Sequence, residues 1–349
     1  MTKPPAIAPH CAVGLAASDT IELAHGGGGL MTRRLIEDLF RPAFARSPDD
    51  LTHDGAVVDI AGARLAFTTD SYVVQPLFFP GGDIGSLAVN GTVNDLAMCG
   101  AEPLYLSVGL VIEEGFAIDH LQRVVASMRQ AAIAAGVQVV TGDTKVVERG
   151  KGDGLYVNTS GVGRLLTPQA IGPQRVRAGD AVIVSGDIGR HGIAVMATRE
   201  GLGFETTITS DCAALAKPVR ELLVSGIEVR CLRDLTRGGL ATALIEIAET
   251  GRVVIRLEGG VIPVSDPVQG ACEILGLDPL YVANEGRFVA LVPPDAAGRA
   301  VTILQRHGKD AAVIGYVEAL ASRGEVQLKT IGGNRSLDML TGEQLPRIC

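Results

Sequence analysis

The chain has 349 residues, 47% hydrophobic and 20% charged. That is enough to bury a core in each of two domains, and it excludes a disordered protein. Thirty-one basic against 39 acidic residues leave a net charge of −8, with no tryptophan and 4% aromatic residues, a balance that argues against a nucleic-acid binder. An acidic enzyme still holds nucleotides through local glycine loops and metal ions. The six cysteines, Cys11, Cys99, Cys212, Cys231, Cys272 and Cys349, form no Cys-x-x-Cys pair and no zinc spacing with histidine. They read as free thiols of a reducing compartment. The first nine residues carry three prolines and no apolar signal-peptide core, and no stretch reaches the roughly 18 apolar residues of a membrane span. The expectation is a cytoplasmic α/β protein that contacts neither nucleic acid nor membrane.

Residues 1–24, with Pro4, Pro5 and Pro9, read as a flexible extension. Leu30, Met31, Leu35, Ile36, Leu39 and Phe40 then recur at helical spacing, so a helix starts directly after four glycines and ends at Pro42 and Pro48. Residues 56–60 and 64–69 read as a strand pair turning at Gly62. A polar, glycine- and proline-rich passage from Asp70 to Asp83 leads to a helix over 84–99 that stops at Gly100. A strand over 104–112, a helix over 121–135 and strands over 137–140 and 155–162 complete a mixed unit of about four strands, residues 25–166. Residues 167–179 form the boundary. The second α/β unit, 167–337, opens on a buried strand at 181–186. Helices follow near 190–200, 211–224, 238–250, 266–275 and 295–307, and strands near 253–258, 287–293, 312–317 and 325–330. The chain reads as polar and irregular from Gly332, and as a mobile tail over 338–349.

The residues that can carry chemistry form a dispersed set. In Ala24-His25-Gly26-Gly27-Gly28-Gly29, backbone N–H groups before a helix can approach a phosphate, although the spacing matches neither Walker A nor the dinucleotide fingerprint. A flexible hinge fits those glycines equally well, and His25 serves as a cap as readily as a phosphate contact. Four aspartates, Asp70, Asp95, Asp143 and Asp234, lie in segments rich in Gly, Thr or Asn. Each alone reads as a turn or cap residue. Together they suit Mg²⁺, which takes few protein carboxylates and completes its octahedron with water or phosphate oxygens. Thr144 and Lys145 follow Asp143, and in an extended segment Lys145 shares the face of Asp143, so it can neutralise phosphate where Asp143 holds metal. Arg237, before Gly238-Gly239, is a second anion candidate, and Glu285 in Asn284-Glu285-Gly286 a candidate base. Cys349 is the last residue of the chain. A thiol on six or seven free residues sweeps on the order of 20 Å, the geometry of a swinging arm.

Taken together, the runs Ala24–Gly29, Thr69-Asp70-Ser71-Tyr72, Phe78–Gly85, Gly91–Met98, Gly142–Val147, Arg233–Gly239, Ala283–Gly286 and Pro346-Arg347-Ile348-Cys349 resemble the HypE family, carbamoyl dehydratases of hydrogenase maturation within the PurM-like ATP-binding superfamily. The aspartate motifs belong to the whole superfamily, and the terminal Pro-Arg-Ile-Cys is the specific signal. The resemblance covers residues 24 to 349. It implies a PurM-like two-domain fold whose N-terminal mixed sheet forms a dimer barrel, with a C-terminal α/β domain. It also implies ATP and Mg²⁺, with the glycine loop His25–Gly29, Asp70, Asp95, Asp143, Thr144 and Arg237 as nucleotide contacts and Asp70, Asp95, Asp143 and Asp234 as metal ligands. Implied partners are a second copy of the chain, the carbamoyltransferase HypF and the HypC–HypD iron scaffold. The implied reaction converts a carbamoyl group on Cys349 to a thiocyanate, with Glu285 as base and Lys145 as cationic stabiliser, supplying cyanide for the iron of [NiFe] hydrogenase. Two alternatives are another PurM-like enzyme, of the selenophosphate synthetase kind, and a non-catalytic carrier switched by nucleotide. Neither a selenophosphate synthetase nor a thiamine-monophosphate kinase explains the terminal cysteine.

Overall fold

In the computed structural model, which describes residues 20–44, 53–202, 208–340 and 348–349, two sheets and one buried helix between them set the architecture. The first sheet contains β1 (Ala56–Ile60), β2 (Ala63–Tyr72), β5 (Ala101–Glu113), β6 (Gln138–Val147) and β7 (Leu155–Leu165), in the order β1-β2-β7-β5-β6. All its pairings are antiparallel except β5 with β6. A short hairpin, β3 (Phe78–Phe79) with β4 (Gly82–Asp83), lies in the glycine- and proline-rich passage between Asp70 and Asp83. The second sheet takes β8 (Ala181–Val184), β9 (Cys231–Asp234), β10 (Val253–Glu258), β11 (Phe288–Val292), β12 (Ala312–Leu320), β13 (Glu325–Thr330) and β14 (Gly333–Leu337), in the order β14-β13-β10-β12-β8-β11-β9. The helices are α1 (Leu30–Leu35), α2 (Arg41–Phe44), α3 (Ile84–Met98), α4 (Ile118–Ala135), α5 (Arg190–Arg199), α6 (Ala216–Val224), α7 (Gly239–Gly251), α8 (Asp266–Leu275) and α9 (Ala297–Leu304).

Helix α3 is the strut of the molecule. It is apolar on every side, and Ile84, Leu87, Ala88, Val89, Val93, Leu96, Ala97 and Met98 are all wholly buried, as befits a helix enclosed by other elements. It packs on β2, β5 and β7 of the first sheet, on α4, and on α6 and β9 of the second unit. Asp83 caps its start, its carboxylate accepting the N–H groups of Gly85 and Ser86 at 2.8 and 3.0 Å. From its middle, the buried Asn94 reaches across. Its Nδ2 donates to the Ala213 and Glu285 carbonyls, and its Oδ1 accepts from Leu215 N–H.

Several segments depart from expectation, each for a local reason. The helix after the glycines passes Pro42: a π-helical turn over Ile36–Phe40 hands over to α2, whose first turn needs no proline N–H. Asp143 lies inside β6 rather than after a strand, because β-branched residues continue on both sides of Gly142. Arg233-Asp234 ends edge strand β9, Asp234 pairing with Phe288, where a turn was expected. Residues 211–215 precede α6 without joining it, and the segment after Gly332 forms β14 through a tight hairpin with β13.

At Gly91, on the α3 face toward β2, an added Cβ would run into the Tyr72 hydroxyl. Gly91→Ala is expected to cost about 1–3 kcal/mol through overpacking, read as a lower midpoint in denaturant unfolding. An unchanged midpoint would show that Tyr72 moves aside freely.

Candidate active site

Each end of the strut's neighbours delivers an acidic group to one cavity of about 200 Å³. Asp54 arrives just before β1, Asp70 near the end of β2, Asp95 from α3, Asp234 from the end of β9 and Glu285 from the turn before β11. Asp54, Asp95 and Asp234 each present a carboxylate oxygen within 4.8 Å of the others. Burial pushes the carboxyls of Asp95 and Asp234 well above the ordinary range, and the neighbouring carboxylates push them further. Asp54 rises to about 6 for the same reasons, although Arg233 Nη1 lies 2.9 Å from its Oδ1. Arg233 also pairs with Glu246, and burial, then the Arg233 charge, holds the His53 imidazole neutral, down to about 3.

Two buried oxygens in this group, Asp54 Oδ2 and Glu285 Oε1, have no hydrogen-bond partner among the described residues. Three desolvated carboxylates converging within 4.8 Å, one of them with an orphaned oxygen, are the donor set of a hard divalent cation. The residues therefore fit Mg²⁺. Thr68 donates to Asp95 Oδ2 at 2.8 Å and Tyr72 to Asp70 Oδ2 at 3.1 Å, so both carboxylates are oriented.

The turn carrying Glu285 is held from three sides. Asp211 Oδ2 accepts the N–H groups of Glu285 and Gly286 at 3.2 and 2.9 Å, Asn94 donates to the Glu285 carbonyl, and Asn284 bonds Leu235 and Val282. Glu285 is buried, and burial followed by Asp234, Asp211 and Asp70 raises its carboxyl well above normal. Arg237 opposes this.

Cys349 lines the same cavity as Asp70, Asp95, Asp234, Arg237 and Glu285. Ile348 is buried in the core that joins the two units. The Ile348 carbonyl is 2.7 Å from His191 Nε2, and Val73 N–H donates to the Cys349 oxygen at 3.3 Å. Arg237 faces the terminal residue: the charge of Cys349 is the first reason its guanidinium is held more firmly protonated. Residues 341–347, with Arg347, lie outside the described residues.

The glycine loop borders the site without aiming its amides into it. Arg237 Nη1 donates to the Gly26 carbonyl at 3.0 Å, Gly27 N–H donates to the Ala24 carbonyl, and Gly28 N–H to Thr32 Oγ1. Gly28, at φ +77°, lies so close to Arg237 that a Cβ would meet the Arg237 Cβ at 2.9 Å. Gly29 caps α1, and His25 accepts the Glu22 N–H, closing its own turn. A second cavity of about 290 Å³ opens between α1, with the π-helical turn after it, and α7; Gly28 borders it, and it shares Arg233, Asp234 and Arg237 with the first.

Asp143, Thr144 and Lys145 do not join the carboxylate group in this chain. The register runs Ser71–Asn158–Gly109–Asp143 across four strands, and residues paired across strands share a face. Asp143 and Lys145 thus stand on the sheet face opposite α3, three strand spacings, roughly 14 Å, from β2. Asp70 is offset by one residue from Ser71 and so points to the other face. Sequence reasoning missed Asp54, Tyr72, His191, Asp211 and Arg233. Arg233 heads the run Arg233–Gly239, beside a recognised aspartate, while Asp54 lies two residues before β1 with no motif of its own.

Two family models cover most of the chain: AIR synthase related protein, N-terminal domain, over residues 52–165, and its C-terminal domain over 177–327. The fold and site thus define a two-domain, PurM-like protein of the AIR synthase-related class. Within that class it is 50% identical over 333 residues to the carbamoyl dehydratase HypE of Azotobacter vinelandii, covering 95% of this chain and 97% of the relative. It is 45% identical to HypE of Escherichia coli K12 over 338 residues, 95% and 100% of the two chains. A crystal structure of the hydrogenase maturation protein HypE in complex with ATP superposes with a TM-score of 0.80 at 47% identity, covering 95% of this chain and 100% of that one. A HypE–HypF complex gives 0.82 at 45% identity, covering 88% and 99%. The chain belongs to the HypE family of carbamoyl dehydratases.

Carboxyls with raised values in the folded state bind protons more tightly there than in the unfolded chain. Their contribution to stability is present at low pH and is lost as pH rises, for Asp54 past about 6. Without divalent cation, Asp95→Asn is therefore expected to melt a few degrees above the unsubstituted protein at about pH 8 and to lose this advantage by about pH 5. Millimolar Mg²⁺ should raise the melting temperature of the unsubstituted protein more at the higher pH, and that of Asp95→Asn less. Thermal unfolding with Mg²⁺ or chelator checks both.

Proposed function

We propose that the chain is the ATP-dependent dehydratase of a carbamoyl group carried on its own Cys349, yielding a thiocyanate that supplies cyanide for the iron of [NiFe] hydrogenase. The observation that carries this reading is the seating of Cys349 in the cavity that collects Asp70, Asp95, Asp234, Glu285 and Arg237. A nucleotide-switched carrier has no need of its terminal thiol beside a base and a metal-type carboxylate cluster. A selenophosphate synthetase has no use for that thiol at all.

The chemistry balances with these parts. The carbonyl oxygen of Cys349–S–C(=O)NH₂ takes the γ-phosphoryl group of ATP as one N–H proton leaves, giving Cys349–S–C(=NH)–O–phosphate and ADP. The C–O bond then breaks, the remaining N–H proton departs with the phosphate, and Cys349–S–C≡N remains. Glu285 receives the first proton. Its desolvated carboxylate is a stronger base than an exposed one. Arg237 offsets charge on the phosphoryl group, and the carbamoyl group is held to the chain by a covalent bond, so no encounter step is needed. Asp54, Asp70, Asp95 and Asp234 would hold Mg²⁺, which when bound neutralises phosphate charge. The glycine loop closes the side where the second cavity opens.

Exposed surface supports a second copy of the chain as a partner. One face of the first sheet is covered by α3, while the other exposes Phe67, Tyr105, Val111 and Tyr156, all at least 37% accessible. We assign this open face, with β6 at its edge, to a second copy of the chain. Its pairing would carry Asp143, Thr144 and Lys145 toward the partner subunit's nucleotide, which gives Lys145 its stabilising role there. HypF loads Cys349, and the HypC–HypD complex accepts the cyano group.

Incubation with the carbamoyltransferase, carbamoyl phosphate and Mg-ATP, followed by mass analysis of the C-terminal peptide, tests the reaction. A carbamoyl adduct on Cys349 should become a cyano adduct only with ATP. Cys349→Ala is expected to bind ATP and form neither adduct. Glu285→Gln should load normally and dehydrate on the order of 10²–10⁴-fold more slowly. Full dehydration by Glu285→Gln would place the base elsewhere.

A further inference from the structure

The reaction needs the sulfur of Cys349 at one depth in the cavity, so its backbone must be held in register. What holds it lies on α5. His191 is wholly buried, with Nε2 2.7 Å from the Ile348 carbonyl and Nδ1 2.8 Å from Ser210 Oγ. A carbonyl only accepts, so Nε2 carries a hydrogen. Burial holds the imidazole neutral, although Asp211 acts against this, so Nδ1 is bare and accepts the Ser210 hydroxyl. Ser210 Oγ in turn accepts Cys212 N–H at 3.0 Å, and Ser210 N–H is fixed to the Pro80 carbonyl at 2.8 Å. The chain of donors has one consistent direction, ending on the tail. The Phe79 ring packs edge-on against the imidazole at 5.3 Å.

The same frame carries the base. Gly189 N–H, at the start of α5, donates to Asn284 Oδ1 at 2.7 Å, and Gly192 N–H donates to the Ala283 carbonyl at 3.1 Å. Asp211, next to Ser210, holds the N–H groups of Glu285 and Gly286. Tail grip and base are therefore bolted to one turn.

We propose that His191, oriented by Ser210, is a positioning residue for dehydration: its Nε2–H grips the Ile348 carbonyl and sets the register of Cys349 against Glu285. It touches no reacting atom. The bond forms when the tail is seated and is broken when the tail leaves to be loaded, so losing it weakens one step and spares the other. The effect on dehydration rests on the function proposed above; the seating of the tail does not.

Two readouts separate these. Alkylation of Cys349 by iodoacetamide, read by mass on the C-terminal peptide, reports how often the tail is unseated. Loss of one neutral hydrogen bond predicts about tenfold faster alkylation in His191→Leu. His191→Gln, whose amide still donates, should restore most of the protection, and Ser210→Ala, which frees the imidazole to turn, should fall between. In single turnover of the loaded protein, His191→Leu should dehydrate about tenfold more slowly with ATP KM unchanged, while loading by the carbamoyltransferase is not slowed. Cooperative melting is the control for folding, and Ser210→Ala carries the test if His191→Leu fails it. Alkylation at the unsubstituted rate in His191→Leu or, should that variant not fold, in Ser210→Ala would overturn the proposal. So would equal loss in His191→Leu and His191→Gln. Should the loaded, unsubstituted protein never dehydrate, the fault lies with the proposed reaction, and the alkylation series still decides the grip.

Discussion

Like charges held out of water are the constraint on which the rest of this structure depends. Asp54, Asp95, Asp234 and Glu285 meet where Arg233 and Arg237 supply the facing positive charge. Carboxyls so placed rise well above their ordinary range, so the site spends folding stability to exist. It persists because each carboxylate is fastened to a rigid element: a strand end, the buried helix α3, or a turn pinned by Asp211 and two asparagines. Preorganised charge of this kind suits phosphoryl transfer, where positioning and electrostatics do most of the catalysis.

Helix α3 converts that constraint into architecture. Its apolar surface is wholly enclosed, and its few polar groups each have a task. Asp95 faces the cavity, and Asn94 ties the first unit to the loop and turn that carry Glu285. Because one helix contacts both sheets, the carboxylates of the first unit and the base of the second keep a common frame. Gly91 lets Tyr72 lie against the same helix, which aims the hydroxyl at Asp70.

The dipeptide Ile348-Cys349 reaches the cavity that collects the acidic groups. Ile348 gives it an apolar anchor, His191 and Val73 take its carbonyl oxygens, and Arg237 meets its charge. These contacts are few and mostly single hydrogen bonds, each of modest net worth. Contacts of this kind fix a register while remaining easy to break.

Much of this was readable from residues in order. Apolar periodicity marked the helix after the glycines, the buried strands β8 and β11 announced themselves as apolar runs, and the terminal Pro-Arg-Ile-Cys singled out Cys349. These are local patterns, in which a residue's neighbours in sequence are also its neighbours in space. The acidic turns showed which residue types the chemistry uses. They did not show that Asp143 and Lys145 lie across the sheet from Asp70, or that Asp54 takes a place beside Asp95 and Asp234. Nor did they show that His191 reaches the tail. Those facts depend on strand order, on one-residue offsets that send side chains to opposite faces, and on a helix buried between two sheets. They are contacts between segments far apart in the chain, and packing alone brings such segments together.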